Sequence, residues 1–149
     1  MFKIVPIAAL AALSLSCTLA CAETLDAAKA LLDGAVAEVK ASGMDQAIKD
    51  FNAGGKWNKG TLDVVMANFD GLMVAHSAND KIPGKNMLQA KDAAGKPFVK
   101  EAIGLAMHTG NGQIDIRWGN PATQQSADAT MFVKRVPGHD AYVGSVVFN

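Results

Sequence analysis

The sequence predicts an α+β domain, a five-stranded antiparallel sheet with a long N-terminal helix and flanking short helices packed against it. Three observations carry this expectation. Apolar residues first recur at helical spacing, from Leu25 to Val39. The pattern then becomes β-rich from Thr61 onward. The later β-rich runs are joined by short, turn-rich links, which imply antiparallel neighbours.

Before the first helix stands a leader. Lys3 gives a positive start, and Ile4 to Leu15 is apolar apart from Pro6 and Ser14. Ala20-Cys21-Ala22 then supplies the small residues that a signal peptidase reads. The apolar stretch is too short for a bilayer span, which takes about 20 residues. We therefore expect residues 1–22 to be a signal peptide cleaved after Ala22, and the mature chain to be exported to the periplasm. A buried N-terminal helix is the plainer alternative. Lipidation at Cys21 is another, although Leu is misplaced for a lipobox before both Cys17 and Cys21. Cleavage leaves residues 23–149 as a single domain with no cysteine and no disulfide. No later run reaches spanning length. The full chain carries 14 basic and 14 acidic residues, a balance that gives no electrostatic reason to bind nucleic acid.

Thr24 is expected to cap the first helix, with Leu25, Ala28, Leu32, Val36 and Val39 on its apolar face and Ser42-Gly43 at its end. Ala47, Ile48 and Phe51 mark a second short helix, stopped by Gly54-Gly55. Leu62 to Asn68 and Leu72 to Ser77 read as strands around an Asp70-Gly71 hairpin turn. A polar stretch from Asn79 to Gly95 leads to a third helix, with Pro97 at its first position and Phe98, Ala102, Leu105 and Ala106 on its apolar side. Gln113 to Trp118, Thr130 to Val136 and Ala141 to Phe148 are the remaining strands, the last two joined at Pro137-Gly138-His139-Asp140.

The sequence contains no His-Glu-x-x-His pair, no phosphate loop and no Gly-x-Ser-x-Gly elbow. His76, His108 and His139 fall in different elements, and no haem-attachment motif is present. We expect no catalytic residue, no metal site and no cofactor. What remains is a set of groups that could line a pocket. Strand alternation puts Trp118 on one face with Ile114 and Ile116, and Arg117 on the other with Gln113 and Asp115. Trp118 reads either as core alone or as core and pocket wall. His76 shares a face with Leu72 and Val74 and so points inward, as a satisfied core group or as a ligand contact. Lys85, beside Gly84, is a solvated surface group or an anion partner. Asn86 reads as a residue that bonds loop backbone and holds the bend.

From Asn68 onward an ordered series of short motifs resembles the Cache family of extracytoplasmic sensory domains, in its single-Cache form. The series runs through Phe69-Asp70-Gly71, His76, Pro83-Gly84-Lys85-Asn86, Asp92 and Gly95-Lys96. It continues with Gly110-x-Gly112, Arg117-Trp118-x-Asn120-Pro121, Phe132-Val133-Lys134-Arg135-Val136 and Val143-Gly144-Ser145. The resemblance implies a PAS-like sheet behind a long N-terminal helix, with a small-molecule pocket on one sheet face. It implies ligands such as carboxylates and amino acids, and on the fourth strand it points to Met131 as a pocket residue. Such domains usually sit between membrane helices of receptors or kinases. This chain ends just after its last strand, so the expected form is free-standing and acts through a membrane receptor or kinase partner. Where relatives often carry Lys-x-x-Tyr on the fourth strand, Ala129 and Phe132 stand here, which leaves a more apolar site.

The expected site thus lies between Trp118, Met131 and His76, with Lys85 or Arg117 as the charge partner. The expected function is a ligand-binding sensory module. The alternatives are a structural or protein-interaction module associated with a membrane receptor or redox enzyme and, more remotely, a haem-binding variant using His76 or His108 with a Met.

Overall fold

The computed structural model describes residues 17–149 and, from residue 24, their side chains. Most of the expected leader, including Lys3 and the apolar stretch, lies outside the described residues, as do the side chains of Cys17 and Cys21. Helix α1 spans Cys17–Ser42, so Thr24 lies within the helix and is not its cap. Its buried stripe is Ala28, Leu32, Ala35 and Val39, at the three- and four-residue steps of one helix face. Leu25, at the outer end of that stripe, is exposed. Gly43 ends the helix in the left-handed region, its N–H donating to the Val39 carbonyl. Helix α2, Met44–Asn52, buries Ala47 and Phe51. A 3₁₀ turn at Gly55–Trp57 then brings the Trp57 ring edge-on to Phe51, with centroids 4.9 Å apart.

The strands are β1 Asn58–Lys59, β2 Leu62–Asp63, β3 Val65–Asn68, β4 Met73–His76, β5 Asn111–Asn120, β6 Gln125–Arg135 and β7 Ala141–Phe148. Strands β3 to β7 form a five-stranded, wholly antiparallel sheet in the order β4-β3-β7-β6-β5. Helix α3, Phe98–His108, lies between β4 and β5 in the chain. Pro97 stands just before this helix, one place earlier than expected. The run from Leu62 to Asn68 is divided at Val64. There the backbone N–H turns to the Ser77 hydroxyl and the carbonyl accepts the Ser77 N–H. The upstream part, β2, pairs with β1 in a small separate hairpin. Strand β5 extends past both of its expected ends and β6 starts earlier than expected, because these paired outer portions are mostly polar and exposed and carry no hydrophobic signal, while β6 stops at Arg135, one residue short of Val136.

Each face of the sheet has its own core. On one face α1, α2 and the 3₁₀ turn pack Leu32, Val39, Phe51 and Trp57 against Met66, Val143 and Val147. On the other, Phe98, Val99, Ala102 and Ile103 of α3 meet Val65, Ile114, Ile116, Met131 and Tyr142. The polar segment after β4 covers the rest of this second face. Asn86 fastens it there: its side-chain N–H donates to the Asp70 carbonyl and its side-chain oxygen accepts the Leu88 N–H.

The β3–β4 turn depends on Gly71. Asn68 and Leu72 close a three-residue connection, with Gly71 at φ 86° as its last member. A Cβ there would stand 2.6 Å from the Leu88 Cβ and 2.9 Å from the Leu88 backbone N and Cα. Gly95 has a similar φ of 85° but open space around it. Gly71→Ala should therefore cost about 2–4 kcal/mol, from left-handed strain plus displacement of the covering segment. Gly95→Ala should cost about 1 kcal/mol from strain alone. Chemical denaturation of the two variants checks this, and equal losses would show that the Leu88 contact does not hold the segment in place.

Candidate functional site

Between the second sheet face, α3 and the segment after β4 lies a cavity of about 320 Å³. That is the low end of the range for small-molecule sites. Its floor is Val65, Met131, Tyr142, Val146 and Phe148. Phe98, Val99, Ile116 and Trp118 form one wall, and Met73, Ile82 and Met87 form the other. Asn58, Gly60, Thr61, Asp63, His76 and Asn79 stand at the end made by the β1–β2 hairpin and the start of the covering segment. Gly144 keeps the floor low, since a Cβ on it would lie 2.7 Å from the Met131 Cε and 3.1 Å from the Val65 Cγ2.

Of the residues expected at the site, Trp118, His76 and Met131 are brought to this one cavity. Trp118 is half-buried and edge-on to Phe98, with centroids 4.9 Å apart. Met131 is buried over Gly144. His76 reaches the cavity by a different route from simple alternation. Met66 pairs with Ala75 and Ala67 with Met73, so Val74 is bulged out of register. Val74 packs on the α1 face, while His76 lines the cavity together with Met73.

Neither expected cation reaches the cavity. Lys85 is exposed, and its backbone rather than its side chain is engaged, the carbonyl accepting the Met73 N–H. Arg117 is exposed on the outer face of β5. Its backbone N–H donates to Asp92, which also accepts from Ala94 and Lys96. These N–H groups, Arg117's foremost, hold the Asp92 carboxyl below its ordinary value. Among the described residues no Lys or Arg lines the cavity.

Two titratable lining residues went unrecognised in the sequence, Asp63 and Tyr142. Both were accessible to strand alternation, Asp63 in step with Val65 and Tyr142 in step with Val146 and Phe148. The Asp63 carboxylate lies 3.7 Å from His76 Nδ1, beyond hydrogen-bond reach. That nitrogen accepts the Ala78 N–H at 3.3 Å, which suits a neutral imidazole. Burial pushes the Asp63 carboxyl above its ordinary value, against the opposing pull of His76 and of the Asp63 and Val146 N–H groups. Burial also pushes His76 below 6.5, against the pull of Asp63. Tyr142 is fully buried, its hydroxyl has no hydrogen-bond partner, and burial raises its pKa well beyond the usual phenol range. No three His, Cys, Asp or Glu side chains among the described residues are grouped to hold a metal ion.

A sheet sheathed by helices on one face, with a mostly apolar, polar-ended cavity on the other, defines a PAS-like domain with a place for a small molecule. The sequence profile of the Cache domain matches residues 16–148, and the chain belongs to that family. Cache domains are extracytoplasmic sensor domains. Among the described residues no helix is long and apolar enough to cross a membrane. The fold is similar to that of a methyl-accepting chemotaxis protein from Vibrio parahaemolyticus RIMD 2210633, with 17% identity, a TM-score of 0.69, and 87% of this chain and 94% of that one covered. It is also similar to the periplasmic sensor domain of a chemotaxis protein, with 19% identity, a TM-score of 0.66, and coverage of 91% and 99%. A third similar structure is a Cache chemosensory domain described for its carboxylic acid recognition, with 20% identity, a TM-score of 0.64, and coverage of 88% and 92%. No curated protein matches the chain.

Two predictions follow from the polar groups. Tyr142→Phe removes a buried hydroxyl that has no partner, so the variant should be as stable as the parent or up to about 1 kcal/mol more stable. A clear loss in urea denaturation would mean that the hydroxyl does have a structural partner. His76 resists protonation in the native state, so below pH 6.5 the unfolded chain takes up a proton more readily and stability falls. Asp63 acts in the opposite sense: its native carboxyl protonates before the unfolded one, which stabilises the fold as the pH drops toward 3.8. His76→Gln should flatten the decline between about pH 7 and pH 5. An unchanged pH profile of melting temperature would count against a buried, neutral His76.

Proposed function

We propose that this protein is an exported, periplasmic sensory module that binds a small metabolite and acts through a partner such as a membrane receptor or kinase. The observation that carries the reading is the cavity. Apolar walls with a few polar groups gathered at one end suit a compact organic ligand with one polar head. The family supports a sensory role, and its carboxylic-acid-binding member makes small acids and amino acids the natural first compounds to screen. Trp118, His76 and Met131 are the proposed ligand contacts. Lys85 and Arg117, the cations expected to meet an acidic ligand, stand outside the cavity.

A ligand at a hundredfold excess over its Kd should stabilise the fold by about 2.7 kcal/mol, or roughly 5–10 °C in melting temperature. Differential scanning fluorimetry with small acids, amino acids and amines measures this directly. Trp118→Ala should remain folded and lose the shift. If no compound gives a shift, the interaction-module reading replaces this one. Export is tested separately by the intact mass of the protein from a periplasmic extract, which should correspond to a chain beginning at Glu23.

A further inference from the structure

The polar end of the cavity contains an acid with no counter-charge. Asp63 is largely buried, with 18% of its side chain exposed. Its nearest titratable neighbour, His76, is too far to donate to it and uses Nδ1 as an acceptor for Ala78. Asp63, His76 and Tyr142 are the titratable residues among those that line the cavity. A carboxylate desolvated in this way gains most from a cation, because electrostatic attraction strengthens as water is excluded. A ligand carboxylate would instead meet a like charge with no Lys or Arg to offset it.

A second, independent feature favours the same chemistry. The aromatic residues Trp118, Phe98 and Tyr142 all line this cavity, and the electron-rich faces of such rings attract cations.

We infer that the cavity takes a small organic ammonium ion, its charged nitrogen held by Asp63 and its apolar body packed against Trp118. This rests on the ligand-binding reading above and specifies its ligand class. The amine enters already protonated, so no covalent or redox step is involved. His76 shapes the polar end without competing for Asp63.

The test uses size-matched probes on the full-length chain: benzylammonium, benzoate and benzyl alcohol, with isobutylammonium, isobutyrate and isobutanol as a smaller set. The ammonium member of at least one set should raise the melting temperature, and its carboxylate counterpart should not. Calorimetric titration should show ammonium binding weakened about tenfold or more in Asp63→Asn, the scale expected for losing one charge-assisted hydrogen bond. Asp63→Glu, which keeps the charge, should retain binding, and Asp63→Ser supplies a second neutral variant, which keeps the inference testable should Asp63→Asn misfold. Arg117→Ala should leave binding unchanged.

A Trp118-dependent shift with the carboxylates or alcohols equal to or larger than that with the ammonium ions would overturn the inference and leave the ligand-binding reading intact. Ammonium binding unaffected by both Asp63→Asn and Asp63→Ser would also overturn it. If neither these probes nor the wider screen gives any shift, both readings fall together.

Discussion

Strand β7 is the constraint on which the rest of the domain depends. It lies at the centre of the sheet, bonded to β3 on one side and β6 on the other, and is covered on both faces. Its alternation is therefore fixed twice. Ala141, Val143 and Val147 must fit beneath α1 and α2, while Tyr142, Val146 and Phe148 must fit the opposite face. A slip of one residue would exchange these sets and bury the Tyr hydroxyl among the helices. The same pairing sets the β3–β4 hairpin beside the last strand although the two lie far apart in sequence. The cavity consequently combines residues from near both ends of the domain, Asp63 with Tyr142 and His76 with Phe148.

The floor of the cavity shows how packing makes room. A regular strand with β-branched residues throughout would fill the space above Met131. Gly144 gives that space up, and Met131 lies across it. Flexible Met73, Met87 and Met131 account for three of the lining residues, and methionine tolerates changes of contact better than branched side chains do. The polar groups follow a different logic. A domain selected only for stability would place phenylalanine at position 142 and an uncharged residue at position 63, since each polar group there is desolvated without full compensation. Among the described residues the other buried hydroxyl without a partner, that of Ser145, lies outside the cavity, in step with Val143 and Val147 on the face beneath α1.

Much of the architecture was legible in the sequence because its signals are local. Helical spacing marked the face of α1, and Gly71 and Pro137-Gly138 marked tight turns. Gly138 has φ 79° after Pro137 in a turn closed from His139 N–H to the Val136 carbonyl. Features that depend on distant partners were harder to read. The division at Val64 follows from Ser77, which lies across the hairpin. The bulge at Val74 reverses the face assignment of its neighbours, and periodicity alone cannot register an inserted residue. Lys85 looked available because nothing in the sequence shows that its loop folds back on β4 through backbone bonds and leaves the side chain outside. Thr24 looked like a cap because the helix was read to begin after the leader, whereas the described helix already runs through Thr24.

Of the candidate cavity's lining, Trp118, His76 and Met131 were legible in the sequence and its carboxylate was not. Trp118 and Met131 were found as apolar surfaces on strands, a property strand position nearly determines. The charge was sought among nearby cations, because the resemblance led to an anionic ligand. On β6, where relatives often carry a lysine and a tyrosine, the structure gives Ala129 to the cavity-side core and turns Phe132 to the opposite face beneath α1, with the Lys29 ammonium 5.6 Å from its ring. The β6 strand thus contributes no polar group to this cavity. Its titratable groups come instead from β2, β4 and β7, as a carboxylate, an imidazole and a phenol. A fold held constant by two cores leaves the strands that line the cavity free to differ in which of them carries an ionisable group. The ligand class has to be read from those side chains and not from the fold.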